Sequence, residues 1–226
     1  MSGVAIPLLL TLKVAFTATL AALVAGVAAG WLLARTRFPG REALDAVLLL
    51  PMVLPPTVIG YYLLVVLGTH GAIGAWLDTT FGVRLVFSWQ GAAIAAAVVA
   101  FPLVFKAART AFESVDPNLE KAGRSLGYAE WRVLARITLP LAWRGIAAGA
   151  MLAFARATGE FGATLMIAGN IPGRTQTLSI AIYEAVQAGD DALANSLVVL
   201  ASITCIVLLV AAAAIVRRGH LRIVPV

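Results

Sequence analysis

Cysteine, histidine and charged side chains are scarce in this chain of 226 residues. The sequence has one cysteine, Cys205, and two histidines, His70 and His220, which lie far apart. A disulfide within the chain is therefore excluded, and the clustered ligands of a zinc site are missing. Charged residues make up 12% of the chain, and a soluble domain carries about twice that share. This shortage argues against a soluble enzyme or binding protein.

Two motifs of common enzyme chemistry are missing as well. The sequence contains neither the GxxxxGK[ST] phosphate loop nor an HExxH metal motif. ATP is not bound here by that route, and we expect no catalytic residue, metal or cofactor on this chain. A membrane-embedded enzyme stays a remote alternative, because it requires a cluster of acids or nucleophiles at an interface and the sequence reveals none.

Apolar residues are abundant instead. Hydrophobic residues make up 61% of the chain and the mean hydropathy is +0.94. Since about 20 apolar residues cross a bilayer core roughly 30 Å thick, the pattern predicts an all-α membrane protein with one transmembrane domain over residues 7–216. Five spans are expected, near Pro7 to Ala34, Val47 to Gly68, Gly91 to Ala108, Leu141 to Gly162 and Leu193 to Val216. A further apolar stretch, Phe161 to Ala168, either prolongs the fourth span or forms half of a re-entrant pair within residues 161–188.

The basic residues are distributed unevenly between the loops. Residues 35–44, 106–144 and 217–226 carry three, seven and three Lys or Arg, whereas 69–87 and 159–190 carry only Arg84 and Arg174. The positive-inside bias places the first set in the cytoplasm, which gives an N-terminus outside and a C-terminus inside. The formal net charge of +6 is spread over span ends and forms no stripe, so we expect no nucleic-acid partner. Met1 to Ile6 carries no charge, and a cleaved signal peptide is not expected.

A polar stretch, residues 116–140 (DPNLEKAGRSLGYAEWRVLARITLP), interrupts the apolar pattern. Asp116 followed by Pro117 is typical of a helix start, and Gly127 is typical of a helix end. Between them Ala122 and Gly123 are small, which predicts a helix that another surface approaches closely. A second, basic helix is expected to end at Pro140, where a new apolar segment begins.

The order of residues in this stretch resembles the EAA loop of ABC importer permeases. The resemblance rests on Glu120, Ala122, Gly127, Ile137, Leu139 and Pro140, with nine residues between Gly127 and Ile137. Lys121 and Gly123 depart from the usual pattern, and Glu120 stands seven residues before Gly127, where six are usual. The resemblance implies that the loop contacts an ATP-hydrolysing subunit, through Glu120, Lys121, Ala122, Gly123, Gly127, Ile137, Leu139 and Pro140.

Three other segments narrow the family. FARATGEFGATL (154–165), NIPGRTQTL (170–178) and RTRFPGREALDAVLLLPMVLPPTVIGYYLLV (35–65) resemble the permeases of bacterial molybdate importers and their sulfate and thiosulfate relatives. The short chain, the compact loop from His70 to Ser88 and the segment FGVRLVFSW (81–89) resemble the molybdate type. Tungstate is a related substrate, and sulfate or thiosulfate is the alternative. A passive channel or a structural subunit is a weaker alternative, since it leaves the 116–140 loop unexplained.

The family resemblance also implies an architecture and partners. It implies a type I (MetI-like) permease of the bacterial cytoplasmic membrane, with about five membrane helices and a cytoplasmic coupling helix. The implied partners are a second copy of this chain, two subunits that bind ATP and Mg, and an extracytoplasmic molybdate-binding protein.

Helix breaks at membrane depth mark candidate elements of a translocation path. Pro55, Pro56 and Thr57 interrupt the second span, and Gly159 interrupts the fourth; irregular backbone at that depth is tolerated where it is covered by protein or lines a cavity. Packing alone explains the same breaks equally well.

Polar side chains accompany these breaks. Arg156 and Glu160 stand four residues apart and are expected to pair, either as a structural ion pair or as a gate element. The hydroxyls of Thr57, Thr158 and Thr164 suit either the passage of an oxyanion or helix packing.

Overall fold

The computed structural model describes residues 2–218, and every regular element in that range is helical. The helices are α1 Ser2–Arg35, α2 Arg41–Val53, α3 Pro56–Leu67, α4 Ala72–Phe81, α5 Trp89–Glu113, α6 Pro117–Ser125, α7 Glu130–Val133, α8 Leu139–Thr158, α9 Gly162–Ala168, α10 Leu178–Gln187 and α11 Asp191–Arg218. A π-helical turn, Leu134–Thr138, joins α7 to α8. The predicted C-terminal basic loop, 217–226, lies largely outside the described residues.

Four helical stretches are long and apolar enough to cross a membrane, namely Val4–Arg35, Trp89–Glu113, Glu130–Thr158 and Asp191–Ala211. The predicted second span is a pair of helices, and the chain bends by 109° between α2 and α3. The bend follows from Pro55 and Pro56: proline lacks the N–H that would continue the helix, and it drives the preceding residue out of the helical region. Leu54 and Pro55 are accordingly extended, with ψ of 142° and 136°. By length and composition, up to five spans are present among residues 2–218.

Helix α5 forms the centre of the fold. Its alanines Ala92, Ala95, Ala96 and Ala100 are fully buried, and both α1 and α8 pack against it. Glycines make the approach close: a Cβ at Gly26 of α1 would lie 2.9 Å from the Phe105 nitrogen, and one at Gly149 of α8 would lie 2.6 Å from the Ala107 Cβ. Such small-residue contacts are how membrane helices pack without a hydrophobic driving force between them.

The apolar stretch after the fourth span is a separate helix. Helix α8 ends at Thr158, and α9 begins at Gly162 and packs against α3 and α5. After residues 169–177, α10 packs against α11 and α1. The stretch therefore does not prolong the fourth span. With seven and ten residues, α9 and α10 reach about 10 and 15 Å at 1.5 Å per residue, so neither crosses a bilayer core alone.

The sequence interpretation of Pro140 as the end of one helix and the start of another is wrong. Residues 130–158 run as one continuous helix. The π-helical turn before Pro140 widens the helix, and the Leu139 N–H donates to the Leu134 carbonyl five residues back. The extra residue in the turn accommodates a proline ring that would otherwise meet the preceding turn.

A helix that was not predicted, α4, occupies the loop after the second span. Its Ile73 and Trp76 side chains are exposed, and Trp76 packs edge-on against Phe81 with ring centroids 5.4 Å apart. Aromatic rings of this kind are common at the membrane interface.

Candidate functional site

The helix predicted from the EAA-like segment is present as α6, and its ends form as the sequence indicates. The Asp116 carboxylate accepts a hydrogen bond of 2.8 Å from the Asn118 N–H. At the other end Gly127 has a φ of +81°, the Tyr128 N–H donates to the Gly123 carbonyl at 3.1 Å, and the Gly127 N–H donates to Arg124 at 2.9 Å. This pair of bonds is the Schellman motif. Both ends are fixed, so α6 is a short, stiff helix.

One side of α6 is turned away from the rest of the chain. Leu119, Lys121, Ala122 and Leu126 are exposed, with Leu126 at 76%. We call these four residues the coupling face. Exposed leucines on a polar loop form an apolar patch of the kind that marks a protein interface.

The other side of α6 packs against its own chain. Gly123 is buried, and a Cβ there would lie 2.6 Å from the Ile137 Cδ1 and 3.5 Å from the Val133 Cγ2. The interpretation of Gly123 as an opening for a foreign surface is therefore wrong. Its small size admits Ile137 beneath α6, while Leu139 and Pro140 further along remain exposed.

Glu120 also points inward and is only 4% exposed. Its Oε1 accepts a hydrogen bond of 2.6 Å from the Thr138 hydroxyl and is paired with the Arg35 guanidinium. The Arg124 guanidinium lies 3.7 Å from the other carboxylate oxygen. The Glu120 side chain thus lies on the buried side of α6 and is not part of the coupling face.

A second ion pair lies on the surface of the same loop. Arg124 and Glu130 form a hydrogen-bonded pair with an N–O distance of 2.6 Å. The Glu130 carboxylate raises the pKa of Arg124 above its ordinary value. Because both groups are exposed, the pair contributes little stability.

The two predicted helix breaks meet in the structure. A Cβ at Gly162 would lie 3.2 Å from the Pro56 Cβ and 3.4 Å from the Thr57 nitrogen. One turn further, a Cβ at Gly60 would lie 2.9 Å from the Ala163 Cα. Helices α3 and α9 are therefore packed backbone to backbone, and the 109° bend lies directly against the gap between α8 and α9.

The predicted pair of Arg156 and Glu160 is present at this break. The Arg156 Nη1 lies 2.8 Å from the Glu160 Oε2, and the Glu160 side chain is 2% exposed. Its other oxygen accepts a hydrogen bond of 2.9 Å from the Ala163 N–H, in the first turn of α9. Glu160 therefore bridges the break at the exposed Gly159 and links α8 to α9. The four-residue spacing predicted the ion pair but not this capping role.

The three candidate hydroxyls lie in different surroundings. Thr57 is exposed at the bend, whereas Thr158 and Thr164 are 9% and 1% exposed. The Thr158 hydroxyl donates to the Ala155 carbonyl of its own helix at 2.8 Å, and Thr158 lines an apolar groove of about 260 Å³ between α1, α8 and α11. The surroundings of Thr158 fit helix packing, and those of Thr57 leave its hydroxyl accessible.

A hydrolase-like motif occurs in the sequence but does not form a nucleophile turn. Residues 123–127, GRSLG, match the letters of the GxSxG nucleophile turn. That turn joins a strand to a helix, whereas Ser125 is the last residue of α6 and its hydroxyl donates to the Lys121 carbonyl. No strand is present among residues 2–218.

Comparison with known proteins agrees with this architecture. A family model described as "Binding-protein-dependent transport system inner membrane component" matches residues 6–223. The molybdenum transport system permease protein ModB of Escherichia coli (strain K12) is 52% identical over 179 residues, 79% of this chain and 78% of that protein. The putative molybdenum transport system permease protein YvgM of Bacillus subtilis (strain 168) is 45% identical over 193 residues, 85% of each chain. The sulfate transport system permease protein CysT of Escherichia coli (strain K12) is 36% identical over 187 residues, 83% of this chain and 67% of that protein.

Solved structures share the fold at low sequence identity. A chain of the inward-facing MetNI methionine ABC transporter superposes with a TM-score of 0.76 at 19% identity, over 96% of both chains. A chain of a bacterial ABC transporter that imports alginate gives a TM-score of 0.75 at 16% identity, over 95% of this chain and 79% of that one. The MetI-like permease fold and the multi-pass location in the cytoplasmic membrane follow from these matches and from the apolar helices. This chain belongs to the family of binding-protein-dependent transport system inner membrane components.

Proposed function

We propose that this chain is the permease subunit of an ATP-driven importer for molybdate, with tungstate as a related substrate. The observation that carries the proposal is the 45–52% identity to molybdenum permeases over about four fifths of the chain. Identity to the sulfate permease is lower, at 36%, so sulfate is the second candidate.

The assembly that fits this role contains two copies of the chain, two ATP-binding subunits and an extracytoplasmic binding protein. The coupling face on α6 supports the contact with the ATP-binding subunits, because it exposes Leu119 and Leu126 at a helix whose ends are fixed. ATP and Mg would be bound by the ATP-binding subunits, and this chain would hydrolyse nothing. Dependence on a binding protein is consistent with the family description.

We place part of the translocation path where the bend between α2 and α3 meets the gap between α8 and α9. Thr57 and, one turn on, Tyr61 are exposed on the same side of α3. Hydroxyl groups bind an oxyanion less tightly than a fixed positive charge would, so the anion can leave the site again. The Glu160 carboxylate offers little opposition to an anion, since it is buried and its charge is paired with Arg156.

Transport would proceed by alternating access. Closure of the ATP-binding subunits displaces α6, and the permease copies rock between outward-open and inward-open forms. The close contact of α3 with α9 lets these two helices move as one body.

The test is uptake into proteoliposomes that contain this chain, its ATP-binding subunit and its binding protein. We expect uptake of labelled molybdate that requires both ATP and the binding protein, with sulfate as a weak competitor. Sulfate uptake at an equal or higher rate would favour the second candidate. Uptake without ATP would contradict an importer and favour a passive channel.

A further inference from the structure

Glu120 brings together three elements that are distant in the sequence. It lies in α6, its partner Arg35 is the last residue of α1, and its partner Thr138 lies in the π-helical turn that leads into α8. Arg35 also donates to the Phe112 carbonyl near the end of α5 at 3.2 Å. One buried carboxylate therefore connects the coupling helix to three of the long helices.

The chain gives α6 few other fixed attachments. Only residues 114–116 join it to α5, and only 126–129 join it to α7. The pair of Arg124 and Glu130 also joins α6 to the start of the helix over residues 130–158, but both side chains are exposed, so this attachment is weak. Gly123 lets Ile137 pack beneath α6, and this close packing brings the Thr138 hydroxyl within reach of Glu120.

The carboxylate cannot be turned outward cheaply. Doing so would leave the Arg35 guanidinium without its carboxylate and the buried Thr138 hydroxyl, 1% exposed, without its acceptor. Charge-assisted hydrogen bonds of this kind are short, strong and directional. A displacement of α6 should therefore move the end of α1 and the start of α8 with it.

We infer that Glu120 is a positioning residue that transmits the motion of the coupling helix to α1 and α8 and makes no contact with the ATP-binding subunit. This inference rests on the proposed function, in which α6 is driven by that subunit. The coupling face receives the force, and the Glu120 anchor passes it on.

The first experiment compares Glu120→Gln with Glu130→Gln in the complete reconstituted importer. The glutamine keeps the size of Glu120 and an oxygen for Thr138 but removes the charge for Arg35; Glu130 is a matched control on the same loop. We expect Glu120→Gln to co-purify with the ATP-binding subunit at the control level. The ratio of ATP hydrolysed to molybdate imported should rise about tenfold, within the range of typical coupling between sites.

Two results would overturn the inference. Loss of co-purification in Glu120→Gln would show that Glu120 contacts the ATP-binding subunit directly. A ratio of ATP to molybdate equal to that of Glu130→Gln would show that the anchor transmits nothing. If Glu120→Gln does not reach the membrane, Thr138→Val, which removes only the hydroxyl donor, takes its place, and a raised ratio is again expected.

The second experiment needs no molybdate. On a Cys205→Ala background, spin labels at the exposed positions Arg37 and Asn118 report the distance between the α1–α2 loop and α6 in the permease alone. We expect a narrow distance distribution in the parent chain and a broader one in Glu120→Gln. Equal widths would contradict the anchor, whereas failure of the parent importer to take up molybdate would contradict only the proposed function.

Discussion

Glu120 and Glu160 are both buried and each is held by an arginine, but their partners come from different distances along the chain. Glu160 is bound by Arg156, four residues before it, and by the Ala163 N–H, three residues after it. Glu120 is hydrogen-bonded by Arg35 and Thr138, which are 85 and 18 residues away, and its one local partner, Arg124, lies at the longer distance of 3.7 Å. Local partners shape one break between α8 and α9, whereas distant partners join separate helices. The same residue type thus serves a local cap in one region and a long-range anchor in the other.

Removal of the distant partner should have the largest effect. Arg35→Gln leaves the buried Glu120 carboxylate without its hydrogen-bonded arginine and with only the longer contact of 3.7 Å to Arg124. We expect the loss of about 3–5 kcal/mol of stability that breaking a buried pair costs. The measurement is the midpoint of heat-induced loss of the detergent-solubilised permease, with Arg37→Gln as control. The double variant Arg35→Gln, Glu120→Gln should recover part of the loss, and strictly additive losses would contradict the pair.

The local pair should be less sensitive, and its two members should differ. Arg156→Gln leaves a carboxylate that is 2% exposed, whereas Glu160→Gln leaves a guanidinium that is 35% exposed. We expect Arg156→Gln to lower stability by about 1–3 kcal/mol, and Glu160→Gln to lower it by less, because its amide oxygen still accepts from Ala163. Heat-induced loss measured on both variants checks the order; a larger effect of Glu160→Gln would show that the capping bond matters more than the charge.

The two small residues of α6 should respond in opposite ways to the same enlargement. Gly123→Trp must displace Ile137 and should lower stability by about 1–3 kcal/mol, the usual cost of overpacking. Ala122→Trp projects from the coupling face, so the thermal midpoint should hold while co-purification of the ATP-binding subunit falls. Normal co-purification with Ala122→Trp would remove the coupling face from its proposed role.

The surface pair should matter least. Glu130→Gln removes the partner of Arg124 from an exposed position, and we expect a change in stability of less than about 0.5 kcal/mol. The measurement is again the thermal midpoint, at low and high salt. A loss as large as that of Arg156→Gln would mean that exposure does not separate the pairs of this protein.

The sequence determined the features that depend on neighbouring residues and on composition. Apolar windows placed the membrane helices, Asp116 and Gly127 placed the ends of α6, and the four-residue spacing of Arg156 and Glu160 placed their pair. These are contacts of a helical turn or of a helix with its solvent, so they can be read without knowing which helices meet. The likeness to molybdate permeases extended this reading to the family.

Only the tertiary structure decided which way those elements face. The inward direction of Glu120 and Gly123 and the packing of Gly162 on Pro56 depend on contacts between segments that are separated in the chain. Residue spacing within a helix cannot predict that Glu120 pairs with Arg35, which lies 85 residues away in the sequence. The physical reason is that burial and packing against other helices, not local preference, select the side of a short helix that is covered.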